Sequence, residues 1–355
     1  MADSLALVPN NPPRPISTTT AAIDLRRRLI DATKQTTRYS PHEWQLDVAQ
    51  ALCERRDVLC IAGTGSGKTL PFVMPCFVDP RALVWIVSPL NYIEQQQQKV
   101  FDDEWNIPTC CVNANTSYPG LHKDILQGKY RIIIASPEQL LEYNKLRPIL
   151  IQLSSQNWNN VVVVDECHCI CLWSDQFRKM YGLLGSLRVF LYPGTPFCAA
   201  TATLTRSMRK QVLSSLRYSD DFEDVNQGYW KRNLSWHVHY MQGSDAAIGE
   251  ITHMFTKDPA TASDIRQSII FVDKRNLALR IYSVLQKFFP DEFADQIDVY
   301  HALQSQAAKD LIAERFAKGE IRILICTEAL TMVNTQTAED VDKYESVQKR
   351  PKYML

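Results

Sequence analysis

Short apolar runs without polar alternation recur along the chain, separated by amphipathic stretches. In the first two thirds of the sequence, these runs are Val58–Ala62, Ala82–Val87, Arg131–Ala135, Val161–Val164 and Phe197–Ala200. Strands that are buried on both faces of a parallel sheet have this composition. The stretches between them have helical length, so the pattern predicts repeated βα units with right-handed crossovers.

A polar segment at residues 217–233 interrupts this rhythm and is the predicted linker. Beyond it the apolar runs resume, at Leu234–Met241, Ser268–Val272, Ile297–His301 and Ile321–Cys326. Two intervening stretches are predicted helices, Lys274–Phe288 and Ser305–Lys318. The chain is therefore expected to form an α/β fold with two parallel-sheet domains in series.

The segment ahead of the first strand is predicted to hold a disordered tail and two helices. Residues 1–20 are polar and rich in proline, with no hydrophobic period. A short helix is indicated by Ile23, Leu25, Leu29 and Ile30. A second helix is predicted to begin at Ser40–Glu43, a capping box with Pro41 at the first helical position. Its apolar face would consist of Trp44, Val48, Ala49 and Leu52.

Composition limits the class of protein. The chain has 355 residues, 39 basic against 39 acidic side chains and 45% hydrophobic residues, which excludes a fully disordered or fibrous protein. With zero net charge, any nucleic-acid binding must come from a local surface. The apolar runs are far shorter than the ~18 residues of a membrane span, and the N-terminus does not resemble a secretory signal. Ten scattered cysteines indicate reduced thiols, so we expect a soluble intracellular protein.

A glycine-rich segment, Ala62–Thr69, follows the first predicted strand and opens a predicted helix, as a phosphate-binding loop does. Its glycines allow a tight turn that points backbone amides at a polyphosphate. The predicted ATP-binding residues here are Gly63, Thr64, Gly65, Ser66, Gly67, Lys68 and Thr69. Lys68 would reach the β- and γ-phosphates, and Thr69 would ligate Mg²⁺. A glycine-rich turn without catalytic meaning is the alternative.

Two carboxylates, Asp165 and Glu166, follow the buried run Val161–Val164. Ligands of open parallel sheets bind at this end of the strands. Asp165 would hold Mg²⁺, and Glu166 would orient and deprotonate the attacking water; an ordinary acidic turn is the alternative. The nearby Cys167, His168, Cys169 and Cys171 resemble zinc ligands. Zinc is disfavoured because the sequence has no second ligand pair at a matching spacing.

Together these segments resemble RecQ-like ATP-dependent DNA helicases of superfamily 2. The resemblance implies that Gln45 reads adenine, with Tyr39 or Trp44 available to stack on the base. Ser88–Leu90 resembles the family motif that follows the second strand, and Ala135–Glu138 resembles the next strand-to-helix contact with DNA. Asp165–His168 resembles the DExH box, with Cys167 in place of alanine. The catalytic residues implied are Lys68, Asp165, Glu166 and His168.

The segment Cys169–Arg178 resembles the aromatic-rich loop of this family, a feature that favours it over DEAD-box RNA helicases. The resemblance implies that Trp173 and Phe177 stack on unpaired bases and that Arg178 contacts phosphate or a ring. A core position for Trp173 is the alternative. Thr201 and Thr203 fit the motif that links hydrolysis to the DNA groove. The DNA-contacting residues implied are thus Trp173, Phe177, Arg178, Thr201 and Thr203.

The resemblance covers residues 38–332 and implies two tandem RecA-like domains. These are an ATP-binding domain at 21–216 and a partial C-terminal domain at 234–332, followed by a divergent tail at 333–355. Four segments of this chain resemble motifs of the family's second domain: Ile270–Arg275, Tyr300–Ala302, Phe316–Gly319 and Ile323–Ala329. Beyond Ala329 the family pattern fails, because Leu330–Val333 lacks glycine and the Gly-Arg-rich arginine-finger motif is missing. We therefore expect the second domain to be incomplete and C-terminally truncated.

The function implied is ATP-dependent 3′-to-5′ helicase or translocase activity on single-stranded or tailed duplex DNA. An ATP- and nucleic-acid-binding pseudo-helicase without unwinding activity is the main alternative, because the arginine finger is missing. An RNA helicase is a third possibility, against which the aromatic-rich loop argues weakly. Nuclear location and a part in DNA repair or recombination follow from family analogy alone, and no membrane association is expected.

Overall fold

The protein was analysed as a computed structural model. It describes residues 19–89, 97–112, 120–143, 145–156, 158–171, 180–228, 234–235, 237–238, 244–327 and 352–353. The chain divides into two compact units, Met1–Tyr229 and Trp230–Leu355.

The first unit is built on a parallel seven-stranded sheet. Its strands are β1 (Val58–Ile61), β2 (Ala82–Val87), β3 (Thr109–Val112), β4 (Ile132–Ala135), β5 (Asn159–Val164), β6 (Phe197–Thr201) and β7 (Glu223–Asn226). Their order across the sheet is β3-β4-β2-β5-β6-β1-β7. Its helices are α1 (Thr20–Thr37), α2 (Glu43–Cys53), α3 (Thr69–Val78), α4 (Leu121–Leu126), α5 (Pro137–Leu141), α6 (Arg147–Ser155) and α7 (Arg206–Ser215). Shorter helical segments are the π-helix Val100–Glu104 and the 3₁₀-helices Cys167–Cys171 and Leu184–Val189.

Helices cover both faces of this sheet, which explains why its inner strands are uniformly apolar. Every residue of β1, β2 and β4 is buried. One face packs under α1, α2 and α3, and the other under α6 and the 3₁₀-helix Leu184–Val189. The predicted α/β fold is confirmed, as are the five strands predicted from apolar runs in this unit.

The predicted linker at 217–233 is wrong over part of its length. Residues Glu223–Asn226 form β7, which pairs in parallel with β1 at the edge of the first sheet. Only Val225 is buried in this strand, while Asp224 pairs with Arg209 and Glu223 pairs with Arg56. An edge strand needs little apolar surface and is often charged, so β7 has no apolar run by which it could be predicted.

The two N-terminal helices also differ from the prediction. Helix α1 continues to Thr37, well beyond the short segment indicated by its apolar residues. Helix α2 begins at Glu43 with His42 as its N-cap, so the predicted start at Ser40 is wrong. The Gln45 side-chain oxygen accepts a hydrogen bond of 2.8 Å from the His42 amide, which makes the capping box two residues later than expected.

The second unit has a smaller parallel sheet. Its elements are β8 (Leu234–Ser235), α8 (Ser244–Ile251), β9 (Ser268–Phe271), α9 (Arg275–Phe288), β10 (Ile297–Tyr300), α10 (Gln306–Ala317), β11 (Ile323–Cys326) and β12 (Lys352–Tyr353). The three central strands are arranged β10-β11-β9, and β8 pairs separately with β12. Fully buried Leu285, Ile323 and Ile325 join helix α9 to the sheet. Strands β9 to β11 and helices α9 and α10 match the predictions.

Parts of other predictions lie outside the described residues. These are most of the N-terminal tail, most of Leu234–Met241 beyond β8, and nearly all of the divergent tail. Among the helices that the structure describes, none is both long and apolar enough to span a lipid bilayer.

Candidate nucleotide-binding site

Three adjacent strands bring the main candidate residues to one edge of the first sheet. Strand β6 lies between β5 and β1, and all three are parallel. Asp165 directly follows β5, Thr201 ends β6, and the glycine-rich loop follows β1. The amide of Ala62 donates to the Thr201 carbonyl at 3.1 Å, which ties the start of the loop to the next strand.

The loop Ala62–Thr69 has the backbone geometry of an anion cradle. Gly65 and Gly67 have φ angles of 73° and 78°, a region that favours glycine. The Ser66 amide and hydroxyl both donate to the Gly63 carbonyl, at 3.2 and 2.6 Å. Helix α3 then begins at Thr69 with no side-chain cap and no acidic residue in its first turn. Its positive end is therefore free of internal compensation and suits a phosphate group.

Lys68 contacts the loop backbone and acts electrostatically on the two carboxylates. Its ammonium donates to the carbonyls of Ala62 and Gly63, at 2.9 and 3.3 Å. The same charge acts to lower the pKa of both Asp165 and Glu166, so the three groups share one electrostatic environment. A polyphosphate in the loop would offer the ammonium stronger, charged acceptors than these carbonyls.

Gln45 connects α2 to the glycine-rich loop. Its amide nitrogen donates to the Gly67 carbonyl at 2.9 Å, and its amide oxygen accepts from the His42 amide. An amide group has two donor hydrogens and two acceptor lone pairs, so one of each is left over. That remaining pair has the complementarity that adenine recognition requires. Tyr39, one of the two aromatic residues expected to stack on the base, is exposed.

Gly67→Ala is expected to weaken nucleotide binding as well as the fold. An added Cβ would lie 2.8 Å from the Gln45 amide nitrogen, and φ of +78° is unfavourable for alanine. We expect a loss of about 1–2 kcal/mol in the free energy of unfolding, measured by denaturant titration, together with weaker binding of a fluorescent ATP analogue. Gly194→Ala is the matched control, since Gly194 has φ of +80° and open space around it. Equal nucleotide affinity in both variants would contradict this role of Gly67.

Asp165 is buried and its carboxylate is held by two donors. It is 8% exposed, its Oδ1 accepts from the Glu166 amide at 2.9 Å, and its Oδ2 accepts from the Gln97 amide at 3.4 Å. Burial, and then the charge of Glu166, raise its pKa to about 6. A buried carboxylate of this kind gains from a cation, which fits the predicted Mg²⁺ ligand. Gln97 could not be predicted, because nothing distinguishes it within the run Gln95–Gln98.

Glu166, His168 and Thr201 form one hydrogen-bonded group. Glu166 has φ of 48°, a left-handed conformation that is rare for this residue type. Its Oε2 lies 3.1 Å from His168 Nδ1 and 3.5 Å from Thr201 Oγ1, and His168 Nδ1 lies 2.9 Å from that hydroxyl. The Thr201 hydroxyl also lies 3.2 Å from the carbonyl of Thr203. Thr201 thus links the strand end of the site to the segment that carries Thr203.

We expect His168 to titrate well above its ordinary pKa of 6.5. Contacts with the Cys169 thiol and Glu166 raise the pKa of His168 and outweigh burial, which lowers it. Stability from this pair is therefore fully present below pH 6.5 and is lost as pH rises through the higher pKa of the folded state. An NMR titration of the imidazole would measure this. Glu166→Gln should move the midpoint down, and an unchanged midpoint would exclude Glu166 as a cause.

The remaining predicted residues are only partly placed. Trp173, Phe177 and Arg178 lie outside the described residues, as does Leu90. Ser88 follows β2 and is fully buried, and Ser136 follows β4 as the N-cap of α5. In the ranges described, no three His, Cys, Asp or Glu side chains are arranged to hold a metal ion.

Comparison with known proteins shows a helicase domain in this chain. Residues 42–211 match the model of the DEAD/DEAH box helicase family. The chain is 27% identical to the bifunctional 3′-5′ exonuclease/ATP-dependent helicase WRN of Mus musculus, over 89% of this chain and 22% of that protein. It is 25% identical to the ATP-dependent DNA helicase RecQ of Synechocystis, over 80% of this chain and 58% of that protein.

The chain therefore contains a DEAD/DEAH box helicase domain and is similar to RecQ helicases. Its fold resembles that of the Mycobacterium smegmatis helicase Lhr bound to ssDNA and AMP-PNP, with a TM-score of 0.55 and 19% identity, over 86% of this chain and 41% of that one. The helicase domain at residues 42–211 implies ATP binding. This RecQ-like chain spans from 22% to 58% of the length of the two curated relatives named above.

Proposed function

We propose that this chain is an ATP-dependent 3′-to-5′ DNA helicase or translocase of the RecQ type. The observation that carries the proposal is the meeting of the glycine-rich loop and the Asp165–Glu166 pair at adjacent strand ends, with the Lys68 charge acting on both carboxylates. A structural glycine-rich turn would not require two acidic residues and a lysine in the same place. The similarity to RecQ proteins supports DNA as the substrate.

The residues present fit ATP and Mg²⁺. The uncapped N-terminus of α3 suits phosphate, and the buried Asp165 with Thr69 suits a divalent cation. When bound, ATP with Mg²⁺ would supply the transferable phosphoryl group and neutralise its charge. Lys68 would hold the phosphates in place, Gln45 would orient the base, and Glu166 would take the proton of the attacking water.

The link from hydrolysis to DNA would run through Thr201. Its hydroxyl contacts both Glu166 and His168 on one side and the Thr203 carbonyl on the other. A change in the charge of Glu166 or His168 would therefore alter the hydrogen bonds of Thr201 and, through them, the position of the segment that carries Thr203, which is expected to contact DNA. We further propose that Trp173, Phe177 and Arg178 bind single-stranded or tailed duplex DNA, and that the protein acts in the nucleus.

ATP hydrolysis measured with and without single-stranded DNA tests the proposal, followed by unwinding of a 3′-tailed duplex. Stimulation of hydrolysis by DNA together with unwinding of the 3′-tailed substrate, but not of a 5′-tailed one, is the expected result. Stimulated hydrolysis without unwinding would indicate that the protein translocates on DNA but is not a helicase. Absence of ATP binding in calorimetry would overturn it.

A second candidate function is that of an ATP- and nucleic-acid-binding protein that does not unwind DNA. It is favoured by Leu330–Val333, which lacks glycine where the RecQ family is expected to have a Gly-Met-Gly turn. An arginine finger contributes about 10³–10⁵ in rate in related phosphate-loop enzymes, so a site without one would bind ATP and hydrolyse it slowly. Binding of ATP and DNA without stimulated hydrolysis would select this candidate.

A further inference from the structure

One side chain of α1 holds helix α2 in place. The guanidinium of Arg26 donates through Nη1 to Asp47 Oδ1 at 2.9 Å and to Gln50 Oε1 at 3.1 Å. Through Nη2 it donates to the Glu43 carboxylate at 2.6 Å and to the Glu43 carbonyl at 3.3 Å. The Arg26 side chain is only 14% exposed, whereas the side chains of Glu43 and Asp47 are 81% and 36% exposed, so solvent partly screens both ion pairs.

The partners of Arg26 span two turns of α2 along one face. Glu43, Asp47 and Gln50 are spaced by four and three residues, as neighbours on a helix surface are. A planar guanidinium that binds all three fixes both the rotation of α2 and its position along its axis. Behind it, fully buried Leu29 of α1 belongs to the same apolar cluster as Leu46 of α2.

Helix α1 is also attached to α3, the helix that opens at the glycine-rich loop. Arg28 donates to the Val78 carbonyl at the C-terminal end of α3, at 2.8 Å. Helix α1 packs against both α2 and α3. The two helices that carry Gln45 and Thr69 therefore share one external support.

The position of α2 decides the orientation of Gln45. That side chain is buried, and its amide is already fixed by the His42 amide and the Gly67 carbonyl. A displacement of α2 by about 1 Å would lengthen the 2.9 Å bond to Gly67 beyond hydrogen-bonding range. The spare donor and acceptor of the amide would then point away from the base edge that they are suited to read.

We propose that Arg26 is a positioning residue for nucleotide selectivity: by holding α2, it keeps Gln45 oriented to prefer adenine over guanine. The inference rests on the proposed function, since it concerns the same nucleotide site. Arg26 does not touch the Gln45 side chain in the described contacts, and it acts on the base only through α2.

Equilibrium binding of fluorescent ATP and GTP analogues to the full chain tests this. Arg26→Gln is expected to weaken ATP binding about tenfold, as loss of an oriented hydrogen-bonding pair does, with little change for GTP. Arg26→Lys should fall between, since an ammonium has no planar fork. Arg27→Gln is the matched control, because Arg27 is 73% exposed and pairs only with Asp24 of its own helix in the described contacts.

Circular dichroism and thermal unfolding separate positioning from a purely structural role. If Arg26→Gln lowers the melting temperature but leaves the ratio of ATP to GTP affinity unchanged, the proposal is overturned. If that variant does not fold, Asp47→Asn takes its place, and an unchanged ratio there overturns the proposal equally. A wild-type chain that binds neither nucleotide would refute the proposed function itself, whereas a selective wild type with an equally selective Arg26→Gln would refute only this inference.

Discussion

Lys68→Ala is expected to lose nearly all ATP turnover and most of the affinity for nucleotide. The ammonium is the one cation of the glycine-rich loop and lies in the same electrostatic environment as Asp165 and Glu166. Removing a preorganised group that stabilises a transferring phosphoryl costs about 10²–10³ in kcat. Stopped-flow hydrolysis with DNA present, and titration of a fluorescent ATP analogue, would measure the two losses.

Lys129→Ala is the control for loss of a lysine from the same unit, because Lys129 is exposed and pairs with Asp124 at the surface. It should leave both binding and turnover unchanged. Lys68→Ala also removes two hydrogen bonds to loop carbonyls, so its melting temperature must be compared with that of the wild type. Unchanged turnover in a folded Lys68→Ala variant would show that Ala62–Thr69 is an ordinary glycine-rich turn and not a phosphate-binding loop.

The strands that could be predicted are those whose sequence records burial on both faces. Val161–Val164 and Ala82–Val87 lie side by side in the middle of the sheet and have no polar residue. Exposing such an apolar run to water would cost free energy, so it is stable only between two layers of helices. An apolar run in the sequence therefore predicts a central strand of the sheet. The same reasoning located β9, β10 and β11 in the second unit.

Two elements differ from the predictions, for different reasons. Strand β7 is polar because it lies at a sheet edge, and its charged residues are accommodated by Arg56 and Arg209. The start of α2 is set by Gln45, which serves as the capping residue and also contacts the glycine-rich loop. The partners of β7 lie far away in sequence, so local propensity does not record them. The cap of α2 is a local contact, and only the second bond of Gln45, to Gly67, is distant in sequence.

In the candidate site, too, some features can be predicted from the sequence and others cannot. The meeting of Ala62–Thr69 with Asp165 follows from parallel strands whose carboxyl ends share one edge, so a sequence can predict it. The left-handed conformation of Glu166 and its contacts with His168 and Thr201 depend on tertiary placement to within a few tenths of an ångström. Arg26 and Gln97 were not predicted either, because a single arginine or glutamine forms no sequence motif that would reveal its tertiary contacts.

Glu166→Gln is expected to keep nucleotide binding and to lose turnover, whereas Lys68→Ala loses both. Glutamine has the same shape and can still accept from Thr201, but it cannot take a proton from water. Loss of a general base costs about 10²–10⁴ in rate. The phosphate-binding loop is not altered by this change, so affinity for an ATP analogue should stay within about twofold of the wild type, a difference of less than half a kcal/mol.

Glu104→Gln, at an exposed position in the same unit, controls for the loss of a carboxylate and should leave turnover unaffected. If Glu166→Gln hydrolysed ATP at the wild-type rate, the base would have to be another group, and Asp165 is the nearest carboxylate. If it lost binding as well as turnover, the role of Glu166 would be to hold the site together through His168 and Thr201 rather than to accept a proton. The separation between binding and turnover therefore decides whether the bond network around Glu166 serves catalysis or only the fold.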